Sequence, residues 1–255
     1  EAGPDDKDAD GNPYTTATLI GRAGIERKYN QYLEGKNGSK TIEVNASGQP
    51  VGYVGGTPAV SGNNIRLTLD ANLQKAAEDA IDSQVKILAK SGIYATGASA
   101  VAIDPNSGAV LAMVSEPSYD PNRFSKGIST ADWNQIINNK NHPMQNRTIA
   151  SMYPPGSLFK VVTGAAALEA KVMSPTERIF DSGKHWFVDK RNAQGEAFGW
   201  IDFYEALEKS DNVYFYEMGR RLGIDKLSQM AREFGLGKPT GIDLAGEADG
   251  NVASE

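Results

Sequence analysis

A chain of 255 residues, with 26 Lys+Arg against 32 Asp+Glu and a net charge of −6, can form one large domain or a domain plus a smaller appendage. It has no long basic stretch, which argues against a nucleic-acid partner. The lack of cysteine excludes disulfides, thiolate metal sites and a cysteine nucleophile, and two histidines (His142 and His185) are a poor start for a histidine-rich metal site or a Ser-His-Asp triad.

No run approaches the about 18 apolar residues of a membrane span, and no signal peptide is evident. The chain begins with Glu1 rather than Met and reads as part of a longer protein whose upstream portion has been removed. Residues 1–14 are polar and rich in Asp, Gly and Pro, as a loop should be. Their cluster Asp5, Asp6, Asp8 and Asp10 lacks the spacing and closing Glu of a calcium loop, and reads as solvated linker. Residues 21–35 predict a short helix ended by Gly35, and residues 41–44 and 52–54 predict short strands. The Gly/Pro/Ser-rich stretch 55–64 is the best domain boundary. Residues 65–69 alternate as a strand should, and Asp70 then caps a helix carrying Leu73, Ala77, Ala80, Ile81, Val85 and Leu88 at helical spacing.

Residues 98–103 and 109–114 are apolar β runs joined by Asp104-Pro105-Asn106-Ser107-Gly108, an antiparallel hairpin by its turn chemistry. Residues 116–127 read as loop and 133–137 as a short helix. Residues 202–209, 212–222 and 224–234 read as three further helices. No internal repeat is present.

Between these elements, Pro154-Pro155-Gly156 breaks the chain just before Ser157-Leu158-Phe159-Lys160. Leu158, Val161, Val162, Ala165 and Leu168 continue at helical spacing and could supply a buried stripe. Three residues apart on a helix, Ser157 and Lys160 share a face, with Ser157 among the free N–H groups of the first turn. That pairs a nucleophile with a base. The spacing alone is weak, since Ser-x-x-Lys occurs about once by chance in such a chain, and Ser83-Gln84-Val85-Lys86 matches too. A helix N-cap with a solvated lysine is the bland alternative. Ser210-Asp211-Asn212, between two short helices, is a second polar cluster whose bland reading is also an N-cap, with Asp211 as the cap.

Taken together, four blocks resemble class B penicillin-binding proteins. Asn146-Arg147 followed by Tyr153-Pro154-Pro155-Gly156-Ser157-Leu158-Phe159-Lys160 is similar to that family's nucleophile motif. Gly21-Arg22-Ala23-Gly24-Ile25-Glu26 resembles the signature of its N-terminal pedestal. Residues 206–216, holding Ser210-Asp211-Asn212, resemble its second motif, and residues 234–244 a structural segment downstream. The details point to the rod-elongation branch rather than the division branch. The third motif, Lys-Thr/Ser-Gly, appears nowhere; Lys238-Pro239-Thr240-Gly241 has an extra residue and belongs to the structural segment.

The resemblance implies an α/β fold, the penicillin-binding-protein/β-lactamase-like transpeptidase domain with a mixed sheet flanked by helices. It would lack its C-terminal strands and carry a loosely packed pedestal remnant at residues 1–60, with the transpeptidase part at 61–255. It implies a D,D-transpeptidase in which Ser157 is the nucleophile, Lys160 its base, Ser210 a proton relay and Asn212 a ligand of the stem-peptide amide. The implied partners are peptidoglycan stem peptides, β-lactam antibiotics, a membrane glycosyltransferase and elongation-complex proteins, with no cofactor or metal. The parent would be anchored in the cytoplasmic membrane with its catalytic domain on the outer face, and this stretch alone would acylate little. A serine β-lactamase or β-lactam sensor, and a non-catalytic scaffold, are the competing readings; the pedestal block argues against the first. Trp133, Trp186 and Trp200 read as packing or cleft-rim residues, and the two histidines as structural or exposed.

Overall fold

The computed structural model describes residues 2–3, 5–8, 11–14, 18–125 and 127–253. Glu1 and Asp10, named above as loop, lie outside the described residues. Spatial contact divides the chain into two compact units, Glu1–Ser151 with Asp243–Glu247, and Met152–Ile242 with Ala248–Glu255.

In the first unit, Asp6 accepts from Gly3 N at 2.6 Å and pairs with Arg22, so part of the acidic cluster is structural. The helix expected over 21–35 is two short ones, α1 (Gly24–Lys28) and α2 (Asn30–Leu33), broken at Tyr29. It starts late because Gly21 packs on the Glu26 backbone, where a Cβ would collide. Gly35 caps nothing. The C-cap is Glu34, in extended conformation, and Gly35 is small because the Val60 carbonyl presses on it.

Strands β1 (Ser39–Val44) and β2 (Pro50–Thr57) form an exposed antiparallel hairpin, longer than the sequence pattern predicts. Its turn is fixed by Asn45 Oδ1, which accepts from Ser47 N at 2.9 Å and Gln49 N at 3.0 Å. Residues 65–69 are not a strand. The segment meets Val110 through the Thr68 hydroxyl, which donates to its carbonyl at 2.6 Å, so a side chain takes an acceptor that a ladder would need.

Asp70 caps α3 (Ala71–Lys90) as expected, its Oδ1 accepting from Asn72 N and Leu73 N, both at 2.9 Å. The hairpin of β3 (Ala98–Ile103) and β4 (Val110–Glu116) pairs Ala100 with Val114 and Ala102 with Ala112, burying Val114 and Ala112. Helix α3 is tied to this hairpin by Gln74, which accepts from Met113 N at 2.8 Å and donates to Met113 O at 3.0 Å. No residue of α3 is fully buried. Helices α4 (Thr130–Ile137) and α5 (Arg147–Ala150) follow. Arg147 is buried against Gly97 and donates to the carbonyls of Asn141 and His142, so the Asn146-Arg147 pair fastens a loop.

The second unit holds a 3₁₀ turn (Gly156–Leu158) running into α6 (Phe159–Glu169), then β5 (Ile179–Asp181) paired antiparallel with β6 (Gly199–Ile201). Helices α7 (Phe203–Glu208), α8 (Asn212–Leu222) and α9 (Ile224–Glu233) complete it. Its core joins Val162, Ala166 and Ala167 of α6 to Tyr214, Phe215 and Met218 of α8 and Met230 and Ala231 of α9. The apolar stripe expected on α6 is only partly the buried one. Leu158, Val161 and Leu168 are exposed, whereas Lys160, Thr163, Gly164 and Ala167 are buried. Small side chains let the helix approach its neighbours: a Cβ on Gly164 would lie 2.8 Å from the Phe203 ring. Residues 238–241 lie in a segment without strand, outside any ladder.

Candidate active site

Ser157 sits in the 3₁₀ turn ahead of α6, with its side chain exposed to solvent. Lys160, in the first turn of α6, is buried in the unit and is 8 % exposed. Its Nζ donates to Ser210 O, to Ser210 Oγ at 2.9 Å and to Asn212 Oδ1 at 2.7 Å. Three acceptors match the three N–H bonds of an ammonium. The cation also lies 5.7 Å from the centroid of the Phe215 ring. The structure thus joins Lys160 to Ser210 and Asn212 across 50 residues of sequence, and leaves Ser157 at the exposed mouth of the same helix.

Ser210 is placed by two helix ends meeting back to back. Helix α7 closes with Ser210 N donating to Leu207 O at 3.2 Å and Asp211 N to Ala206 O at 2.9 Å, the paired bonds of a Schellman turn. That turn needs a left-handed residue, usually glycine, yet Ser210 takes it with φ +56. A Cβ there costs roughly 1–2 kcal/mol. The position keeps a hydroxyl at the expense of backbone ease, a pattern that marks functional sites. The next residue, Asp211, caps α8, its Oδ1 accepting from Tyr214 N at 3.0 Å.

The supporting residues are ones that sequence reasoning missed. Asn192 Oδ1 accepts from Asn212 N at 2.8 Å and Val213 N at 3.2 Å, and its Nδ2 donates to Asp181 Oδ2 at 2.8 Å and Glu196 O at 3.0 Å. Asn212 Nδ2 donates to Arg191 O at 3.1 Å, which aims its Oδ1 at Lys160. Asn192 lies in an irregular segment with no periodicity and no motif, so nothing in the sequence singles it out.

Burial pushes the Lys160 amine down from the ordinary lysine range, a shift that an ionised Asp211 would oppose. Asp211 is more than a cap. It is fully buried, and its carboxyl is pushed up by burial, against the Tyr214 hydrogen bond and with the Asp181 charge adding to the rise.

Other residues singled out in the sequence lie outside this cluster. His142 is exposed. His185 is buried; its Nδ1 accepts from Phe187 N and Val188 N, so the proton on Nε2 faces Glu217 Oε2 at 3.3 Å. Trp133 packs edge-on against Phe124, whereas Trp186 and Trp200 are largely exposed. A hollow of about 320 Å³ lined by Phe180, His185, Trp186, Glu217 and Arg221 does not include Ser157, Lys160, Ser210 or Asn212. Its charges are paired: Glu217 accepts from Arg220 and Arg221, and Arg221 also reaches Glu177. Among the described residues no group of three or more His, Cys, Asp or Glu is placed to hold a metal ion, and no helix is long and apolar enough to cross a membrane.

Comparison with known proteins gives two family matches, the penicillin binding protein transpeptidase domain over residues 98–255 and the penicillin-binding protein dimerisation domain over residues 3–67. The peptidoglycan D,D-transpeptidase MrdA of Salmonella typhimurium is 37% identical over 246 residues, 94% of this chain. The chain spans 37% of the length of that relative. Among solved structures, the complex between penicillin-binding protein 2 and MreC from Helicobacter pylori aligns with a TM-score of 0.73 at 31% identity, over 90% of this chain and 41% of that one. A peptidoglycan synthase complex that coordinates polymerization and crosslinking aligns at 0.82 with 32% identity, over 94% and 44%.

Proposed function

Because the chain belongs to the penicillin-binding protein transpeptidase family, we propose that it holds the acylation centre of a peptidoglycan D,D-transpeptidase working in cell elongation. The observation that carries this reading is the three-way hydrogen bonding of Lys160 to Ser210 and Asn212, which unites the two motifs in one site. When Lys160 loses one proton, the freed lone pair can accept the Ser157 hydroxyl proton, and burial of the amine favours that neutral state. Ser157 Oγ then attacks the carbonyl of the D-Ala-D-Ala bond. An ester forms, the C–N bond breaks, and the proton passes through Ser210 to the departing D-Ala amine. Asn212 holds the stem-peptide amide. The amine of a second stem resolves the ester into a cross-link, returning its proton along the same path. The Ser157 N–H, in the first turn, supplies one donor to the oxyanion; a donor of this kind contributes about 3–4 kcal/mol. β-Lactams enter the same pathway and stop at the ester.

The domain division at residues 1–60 and 61–255 belongs to this proposal, supported by matches over 3–67 and 98–255. So do a membrane anchor with the catalytic part on its outer face, and partnership with a membrane glycosyltransferase and elongation-complex proteins. The solved relatives bound to MreC and in a peptidoglycan synthase complex support that partnership. The dimerisation-domain match favours this reading over a small β-lactamase or sensor.

The test is complementation. Cells depleted of the native full-length protein and supplied with Ser157→Ala should lose cross-linked muropeptides and rod shape. Unaltered cross-linking would move the function to a non-catalytic scaffold.

A further inference from the structure

Asp211 Oδ2 is fully buried and has no hydrogen-bond donor, an arrangement an ionised carboxylate does not tolerate. Its neighbour is the carboxyl of Asp181, which is also buried. The two differ in their donors. Asp181 accepts from Gly183 N at 2.6 Å, Phe198 N at 2.8 Å and Asn192 Nδ2 at 2.8 Å, whereas Asp211 has the cap bond from Tyr214 N at 3.0 Å, with only the Val213 N–H beside it as a weaker second donor.

We propose that Asp211 is protonated and donates its Oδ2–H to an ionised Asp181, and that this one proton is the positioning device for the turn carrying Ser210 and Asn212. The donor count decides the direction: three N–H groups solvate the charge on Asp181, and the unsatisfied oxygen on Asp211 becomes a satisfied hydroxyl. Two carboxylates in a dry site otherwise repel, and sharing a proton is the usual resolution. The pair fixes the turn from both sides. Asp211 caps α8 directly, while Asp181 orients Asn192, whose Oδ1 takes the N–H groups of Asn212 and Val213.

The charged and titratable groups facing Asp211 are Asp181 from β5 and Lys160 from α6. An ionised Asp211 would hold Lys160 in its charged form. The shared proton removes that pull, so a neutral Asp211 helps Lys160 serve as a base. This role rests on the acyl-transfer reading above, but the proton itself can be sought without any activity.

Infrared spectra of the full-length protein at neutral pH should contain a carboxylic-acid carbonyl stretch that Asp211→Asn abolishes. Identical spectra from the two proteins would overturn the proposal. Positioning is read separately by acylation with a fluorescent penicillin. Asp211→Ala should slow it by about tenfold or more. Asp211→Asn, whose amide N–H can replace the proton, should recover most of the wild-type rate. Wild-type rates in Asp211→Ala, or no rescue by Asn, would overturn the positioning role. Absence of labelling in the wild type itself would strike the acyl-transfer reading and leave the infrared result to decide the proton.

Discussion

Replacing Ser210 by Gly and, separately, by Ala isolates what its left-handed backbone costs. Both changes delete the same hydroxyl, so the lost bond from Lys160 at 2.9 Å cancels when the variants are compared. What remains is the φ of +56. A Cβ in that region costs roughly 1–2 kcal/mol. Glycine offsets about 0.4–1 kcal/mol of its advantage through greater freedom in the unfolded chain. Ser210→Gly should therefore be more stable than Ser210→Ala by about 0.5–1 kcal/mol, seen as a higher Tm. That is the reverse of the order inside a helix. Thermal unfolding followed by circular dichroism measures the difference, and penicillin labelling of the same full-length samples should be about 100-fold slower than wild type in both. Alanine equal to or more stable than glycine would refute the turn geometry. Wild-type labelling in either variant would refute the relay.

Three other outcomes follow from the same network. Lys160→Met should change stability by less than about 2 kcal/mol, because relief from burying a cation offsets the lost hydrogen bonds, while acylation falls by about 100-fold or more; a variant that only unfolds would contradict this. The acylation rate of the wild type should rise with pH through a midpoint below the ordinary lysine value of about 10.4, since burial lowers the Lys160 pKa and the neutral amine is the active form; a midpoint at or above that value in a rapid-mixing pH profile would count against it. Glu217, held down to about 2 first by its hydrogen bond from Arg220, against desolvation and with Arg221 and His185 assisting, contributes stability above the ordinary carboxylate range that is lost as pH falls toward 2. Glu217→Gln should remove that acid-side loss, on the order of 3 kcal/mol; unchanged acid denaturation curves would show the cluster to be idle.

Local chemistry was legible in the sequence. The Asp70 cap and the 98–114 hairpin are written in their own residues; the structure places both where turn and capping rules put them and carries the second strand on to Glu116. The family was legible because Ser157, Lys160, Ser210 and Asn212 stand in ordered motifs. What sequence patterns miss is what distant chain supplies. Residues 65–69 alternate correctly, but alternation provides no partner, and a threonine hydroxyl takes the available carbonyl. Gly35 has the composition of a cap and is glycine for another reason, the approach of Val60. On α6 Val161 and Leu168 face solvent while a lysine, a threonine and a glycine are buried beside Val162, because closeness to α8 favours small side chains there. Asp181 and Asn192 become significant only once 20 to 30 residues of intervening chain bring them under the Ser210 turn.

The most direct measurement is the site of covalent attachment after full-length protein is quenched with benzylpenicillin and digested for mass spectrometry. One penicilloyl group is expected, on the peptide containing Ser157, and it should vanish in Lys160→Met. An adduct on another residue, or none on a folded protein, would contradict the assignment of Ser157 and Lys160 as nucleophile and base.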